Sequence, residues 1–147
     1  MTAALLTAVF TSPASACSCF PGGEGDRYHR ADHVFTGVVL SETLEEGDPT
    51  STFDDRYRYA VAVRTEYKGD VPRVVAVATA TSGAACGIRM TKGSEYLVFA
   101  HGDSADRRVE STYCSGTRLA SAGPPVTTGS LTTTTTPPTS PCATAVP

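Results

Sequence analysis

The residues of this chain best suited to chemistry are its five cysteines, Cys17, Cys19, Cys86, Cys114 and Cys142. Cysteine thiols can ligate a metal, attack a substrate or pair as disulfides, and the outcome depends on spacing and on the redox compartment. In a short chain that carries an export signal, pairing is the expected use. Four of the five can form two bonds. Cys142 stands apart in the tail and is expected to be unpaired or linked to another chain.

The spacing narrows the pairing without fixing it. Four cysteines allow three pairings, and Cys17 and Cys19 are too close in sequence to bond easily to each other. Two pairings therefore remain open. In a chain-entropy description, a bond that closes a loop this long contributes roughly 4 to 5 kcal/mol. The cysteines are thus predicted to hold a small exported domain together.

No catalytic centre is predicted. The histidines His29, His33 and His101 lack metal-ligand spacing, and the chain has neither a His-Glu-x-x-His motif nor a glycine-rich phosphate loop. A nucleophilic cysteine is disfavoured because the four paired cysteines carry no free thiolate. We expect no enzymatic activity, no cofactor and no metal ion of the chain's own. The formal net charge of -3 argues against a nucleic-acid partner, which requires a basic groove.

Residues 1–16 are predicted to be a signal peptide. An apolar run at residues 3–10 is followed by Ala14-Ser15-Ala16, an A-x-A cleavage site directly before Cys17. The run is far shorter than the ~20 residues that cross a bilayer, so no membrane span is expected. Cleavage at this site makes Cys17 the first residue of the mature chain. The protein is therefore expected outside the cell or at the cell surface.

Charge separates the domain from its tail. Every Asp, Glu, Lys and Arg lies between Glu24 and Arg118. We predict one domain at residues 17–120 and a disordered tail rich in threonine and proline at residues 121–147. Such a tail cannot bury enough apolar surface to offset its ordering entropy.

The elements that must position the cysteines are predicted to be strands, because apolar residues alternate along the domain. The predicted strands are residues 34–40, 57–64, 71–79, 96–99 and 108–113. A short helix is predicted at residues 26–31, and the acidic link at residues 42–55 is expected to be an exposed, mobile loop. These elements predict an all-β fold, a five-stranded closed Greek-key barrel with a short helix, stapled by disulfides. A two-sheet sandwich is the alternative.

Five short motifs follow one another through the domain in a characteristic order. They are Cys17-Ser18-Cys19-Phe20-Pro21, Ala31-Asp32-His33-Val34, Tyr67-Lys68-Gly69, Ala85-Cys86-Gly87 and Thr112-Tyr113-Cys114. Together they resemble the N-terminal inhibitory domain of the tissue inhibitors of metalloproteinases, a netrin-like module with an OB fold. The resemblance implies that Cys17 pairs with Cys86 and that Cys19 pairs with Cys114.

The resemblance also implies a function. The α-amine and carbonyl oxygen of Cys17 would chelate, in trans, the catalytic zinc of a secreted metalloprotease, and Ser18 would enter its specificity pocket. Cys19 would complete this part of the protease-binding edge. The second part would be Ala84, Ala85, Cys86 and Gly87. A monomeric inhibitor is expected, and the alternative is a secreted netrin-like binding or structural module that inhibits no protease.

Overall fold

The computed structural model describes residues 17–129. The predicted signal peptide, the tail from residue 130 onward and Cys142 lie outside the described residues. The structure has one helix, α1 (Glu24–Arg30), and six strands: β1 (His33–Glu45), β2 (Arg56–Lys68), β3 (Val74–Ala80), β4 (Glu95–Ala100), β5 (Arg108–Glu110) and β6 (Arg118–Leu119). Between residues 17 and 129 no helix is both long and apolar enough to cross a membrane.

The strands form one sheet in the order β5-β3-β2-β1-β4-β6. All neighbours are antiparallel except β3 and β5, which run parallel. An isolated bridge also links the end of β4 to β5: the His101 N–H donates to the Glu110 carbonyl oxygen (2.8 Å) and the His101 carbonyl oxygen accepts the reverse bond at 2.9 Å. The fold is therefore mostly β, with a single short helix in the described part.

The predicted β fold with one short helix is confirmed, but the predicted strand number is wrong and closure of the barrel is not confirmed. The sheet of residues 17–129 has six strands, and its ladder does not close. Strand β6 has only two residues, too few to produce a detectable alternation. Closure of a barrel requires a continuous ladder of hydrogen bonds between the two ends of the sheet. Here the end strand β5 has only three residues, and it is linked to the end of β4 only by the bridge between His101 and Glu110.

The β1–β2 hairpin extends further than predicted. The residues from Glu42 to Glu45 belong to β1, although the sequence predicted a mobile loop there. Glu45 Oε1 lies 3.1 Å from Arg58 Nε, and its Oε2 lies 2.8 Å from Arg108 Nη1. These ion pairs place an acidic residue in the ladder. At Gly37, a Cβ atom would approach the side chain of Val61 within 2.5 Å, so this close crossing of β1 and β2 needs glycine.

The core lies on both faces of the sheet. Val34 and Phe35 are adjacent on β1, point to opposite faces and are both fully buried. The larger cluster contains Phe35, Val39, Tyr59, Val61, Val71, Val75, Val77, Met90, Val98, Ala100 and Val109. The smaller cluster, of Ala31, Val34, Leu97 and Phe99, has Tyr28 of α1 packed against it. Helix α1 thus seals the second face.

Helix α1 is fixed at its carboxyl end by Lys68. The ammonium group donates to the carbonyl oxygens of Tyr28 (3.1 Å), His29 (2.9 Å) and Ala31 (2.6 Å). A cation at this end satisfies carbonyls that the helix leaves free and complements its dipole. This contact holds α1, and the N-terminal segment that precedes it, against the end of β2.

The chain that follows β6 is anchored to the start of α1. Arg118 forms a two-pronged ion pair with Glu24, with N–O distances of 2.8 and 2.9 Å, and Glu24 also accepts a hydrogen bond from the Val126 N–H (2.8 Å). The hydrogen bond from Arg118 is the main reason why the pKa of Glu24 is lowered. The segment that follows β6 is therefore held at the first turn of α1.

Candidate functional site

Two disulfides bring the N-terminus of the domain to two distant parts of the chain. Cys17 is bonded to Cys86 and Cys19 to Cys114, each with a Cα–Cα distance of 5.2 Å. These are the pairs that the resemblance implied. The Cys114 sulfur lies 3.9 Å from that of Cys17 and 3.8 Å from that of Cys86, so the two bonds pack side by side.

The clustered sulfurs do not form a metal site. The sulfurs of Cys17, Cys86 and Cys114 lie within 4.8 Å of one another, close enough in principle to surround an ion. Each of them is bonded to another sulfur, and a metal requires thiolate. The cluster therefore acts as a covalent clamp.

The clamp joins two exposed strips into one surface, which we call the N-terminal edge (residues 17–20 and 84–87). In the first strip Cys17 is half-buried, Ser18 and Cys19 are exposed, and Phe20 is 81% exposed. In the second strip Ala84 and Ala85 are exposed, whereas Cys86 and Gly87 are half-buried. The structure thus places all seven predicted protease-binding residues on one continuous edge.

A short 3-10 turn at Gly83–Ala85 shapes the second strip. The Ser82 hydroxyl accepts from the Ala84 N–H (3.1 Å), and the Ser82 carbonyl accepts from the Gly87 N–H (3.0 Å). A Cβ atom on Gly87 would overlap the backbone of Ala80. The strip therefore lies close against the end of β3, and only glycine fits at its far end.

Cys86 adopts a left-handed backbone conformation, with φ of 58°. Few residues other than glycine adopt it, and they do so where neighbouring structure holds them. The disulfide to Cys17 and a hydrogen bond from the Tyr113 N–H to the Cys86 carbonyl (2.8 Å) hold this residue. The geometry of the edge is thus fixed by covalent and hydrogen-bonded contacts before any partner arrives.

Tyr113 belongs to the same surface, although it was not among the predicted site residues. Its side chain is 71% exposed, and it lines a shallow depression together with Cys17, Gly83 and Gly87. A large exposed aromatic group beside two disulfides is a strong candidate for contact with a partner protein. The only signal in the sequence was an aromatic residue next to a bridging cysteine.

The strand side of the edge continues into Ile88 and Arg89. The Ile88 N–H donates to the buried Thr79 hydroxyl (3.1 Å), which anchors the segment to β3. The Arg89 guanidinium carbon lies 4.1 Å from the centre of the Tyr57 ring, a cation–π contact, and Arg89 approaches Glu42 at 3.9 Å. These contacts fix the positions of Ile88 and Arg89, so the N-terminal edge is followed by a charged side chain that is held in place.

The sequence was compared with known proteins. A family model described as tissue inhibitor of metalloproteinase matches residues 15–121, which include both disulfides and the whole N-terminal edge. A Drosophila melanogaster protein named "Tissue inhibitor of metalloproteinase" is 34% identical over 104 residues, covering 64% of this chain and 46% of that protein. The chain therefore spans about half the length of this curated relative.

Proposed function

Because the chain belongs to the tissue inhibitor of metalloproteinase family, we propose that it is a secreted inhibitor of zinc metalloendopeptidases that acts through the free amino group of Cys17. The observation that supports this proposal is the position of Cys17, at the exposed start of the domain and bonded to Cys86. Members of this family inhibit proteases and are not enzymes themselves.

The proposed mechanism begins with cleavage of the signal peptide before Cys17. The new α-amine and the Cys17 carbonyl oxygen are separated by two carbon atoms, so they can bind one metal ion as a compact chelate. A catalytic protease zinc keeps an open position that water normally occupies. The chelate displaces this water, and the protease loses its nucleophile. An α-amine ordinarily has a pKa of ~8, so a proton competes with zinc and inhibition weakens in acid.

Rigidity is the second part of the proposal. The two adjacent disulfides hold the backbone of Cys17 beside Cys86, so binding orders little additional chain. Ser18 is exposed and small, and in this proposal it enters the primary specificity pocket of the protease. The exposed methyl groups of Ala84 and Ala85 let the protease backbone approach the edge closely.

The test uses two versions of the mature protein against a panel of zinc endopeptidases. One begins at Cys17, and the other carries one additional alanine before it. The extension covers the amine without altering the disulfides, which peptide mapping verifies. We expect it to weaken inhibition by about 100-fold or more, because both zinc-binding atoms lose their position. A chain with one alanine added after Pro147 is the matched control and should inhibit fully.

Two outcomes would contradict the proposal. Equal inhibition by the extended and unextended chains would show that the amine is not used. Absence of inhibition by both, with the disulfides intact, would favour a secreted netrin-like module that binds a protein other than a protease.

A further inference from the structure

A positively charged depression lies next to the N-terminal edge, and the proposed zinc chemistry does not use it. It is lined by Phe20, Arg27, Arg30, His101, Cys114 and Ser115. Three of these side chains can carry positive charge and none is acidic. Cys114 and Phe20 connect the depression directly to the edge, because Cys114 is bonded to Cys19.

The two arginines form no ion pair at close range within the described part of the chain. Among residues 17–129, neither the Arg27 nor the Arg30 guanidinium forms a salt bridge or a side-chain hydrogen bond, whereas the Arg118 guanidinium donates two hydrogen bonds to Glu24. Residues three apart on a helix share a face, so α1 presents both guanidiniums together. Two unpaired guanidiniums at one concavity favour a carboxylate ligand, which they can bind through paired hydrogen bonds.

Two glycines make room for these side chains. A Cβ atom on Gly116 would lie 2.7 Å from Arg27 Cδ, and one on Gly22 would lie 3.3 Å from Arg30 Nη2. Both glycines have positive φ, 95° and 143°. The loop after β5 therefore leaves room for the Arg27 side chain at Gly116, and the loop before α1 leaves room for Asp26 and Arg30 at Gly22.

Each acidic group near the two arginines accepts a hydrogen bond from elsewhere in the chain. Asp26 accepts a hydrogen bond from the Gly23 N–H (2.9 Å) at the start of α1. Asp32 accepts one from the Gly102 N–H (2.9 Å) and lies 3.9 Å from His101 Nδ1. Neither carboxylate lines the depression, whereas both arginines do. Glu24, whose charge acts on Arg27, is itself bonded to Arg118.

We propose that this depression binds an acidic side chain, Asp or Glu, on the surface of the protein that the N-terminal edge engages. This proposal rests on the proposed function for the identity of that partner as a protease. The volume of the depression, about 190 Å³, is below the range typical of small-molecule pockets and suits a single side chain. Phe20, exposed at its border, would be covered by the same partner and would shield the ion pair from water.

The test compares two double variants with equal loss of charge. Arg27→Gln/Arg30→Gln alters the depression, and Arg64→Gln/Arg73→Gln removes two exposed arginines that do not line it. The ¹⁵N-labelled proteins are titrated with a blocked peptide of four Asp and Glu residues, with its Asn and Gln counterpart, and with sodium sulfate. Inhibition of a sensitive zinc endopeptidase is measured in parallel at low and high salt.

We expect the acidic peptide to shift the signals of Arg27, Arg30 and His101 in the wild type and in the control variant. In Arg27→Gln/Arg30→Gln, the acidic peptide should shift neither the His101 signal nor those of positions 27 and 30. The neutral peptide should shift no signal in any of the proteins. Inhibition should weaken about tenfold in that variant at low salt, and less at high salt, because salt screens the pair.

The two proposals fail in different ways. Absence of peptide shifts, equal shifts in both variants, or equal shifts by sulfate at the same concentration would overturn the acidic-ligand site while leaving inhibition through Cys17 intact. Peptide shifts that depend on the two arginines, in a protein that inhibits no protease, would support the site and overturn the proposed function.

Discussion

Removal of the disulfide between Cys19 and Cys114 should lower the free energy of unfolding of the domain. The size of the loss depends on the loop that this bond closes while the bond between Cys17 and Cys86 is in place. Taken alone, this bond closes a loop across 95 residues, for which chain entropy gives about 4.7 kcal/mol. The bond between Cys17 and Cys86 already joins the same regions of the chain. The shortest loop that the second bond closes is therefore about 30 residues, which corresponds to about 3.6 kcal/mol.

The perturbation is the double variant Cys19→Ser/Cys114→Ser, made in the oxidised mature chain. Both cysteines are replaced because a free Cys114 thiol would lie 3.8 Å from the Cys86 sulfur and could exchange with the remaining bond. Urea unfolding, followed by circular dichroism, should show a free energy of unfolding lower by about 3 to 4 kcal/mol. For a domain whose total stability is typically about 5 to 15 kcal/mol, this loss is large.

A loss below about 1 kcal/mol, with the bond between Cys17 and Cys86 verified by peptide mapping, would refute this reasoning. It would mean that the unfolded chain is already compact in these regions, or that strain in the native bond offsets the entropy. The variant Cys17→Ser/Cys86→Ser is the matched comparison. It leaves the other bond in place and opens a loop of the same effective length, so its loss should be similar.

Three further predictions concern the fold that supports the edge. Within residues 17–129 the buried Tyr59 hydroxyl forms no hydrogen bond of good geometry, although the Met90 backbone and Glu42 lie close to it. Burial raises the pKa of Tyr59 to about 12. Tyr59→Phe should therefore stabilise the domain by up to about 1 kcal/mol in urea unfolding; a comparable loss would show that those neighbours act as partners. Arg118 lowers the pKa of Glu24 below its usual value of 4.5, so the pair stabilises the fold above that pH, and its contribution is lost as the pH falls through the lower folded value. The stability difference between wild type and Glu24→Gln should accordingly shrink in acid, and a difference that stays constant would exclude this linkage. Gly37→Ala should cost about 1 to 3 kcal/mol because its Cβ would collide with β2, whereas Gly83→Ala, at an exposed position where a Cβ meets nothing within 4 Å, should change stability little. Equal losses in urea unfolding would argue against the close approach of β1 and β2.

The cysteine spacing carried most of the information about the site. The motifs around Cys17, Cys86 and Cys114 identified the family, and the family implied the two bonds that the structure contains. Strand centres were predictable because side chains alternate between two faces. The alternation is interrupted at Val34 and Phe35. Both side chains are buried, because α1 covers the second face of the sheet.

The errors arose where distant partners decide the structure. The acidic residues up to Glu45 look like a loop, but Glu45 is held in β1 partly by Arg108, 63 residues away. The two residues of β6 are too few for any periodic pattern. Closure of the sheet depends on how its edges meet in space, which no local pattern records. The exposure of Tyr113 and the depression at Arg27 likewise depend on tertiary position.

The central claim is that the α-amine of Cys17 binds the protease zinc, and spectroscopy of a cobalt-substituted protease tests it most directly. Zinc has no usable absorption spectrum, whereas cobalt(II) reports changes in its ligands. The chain beginning at Cys17 should change the cobalt absorption bands at stoichiometric binding, and the same chain acetylated at that amine should not. An unchanged spectrum in the presence of full inhibition, or an identical change with the acetylated chain, would contradict the claim.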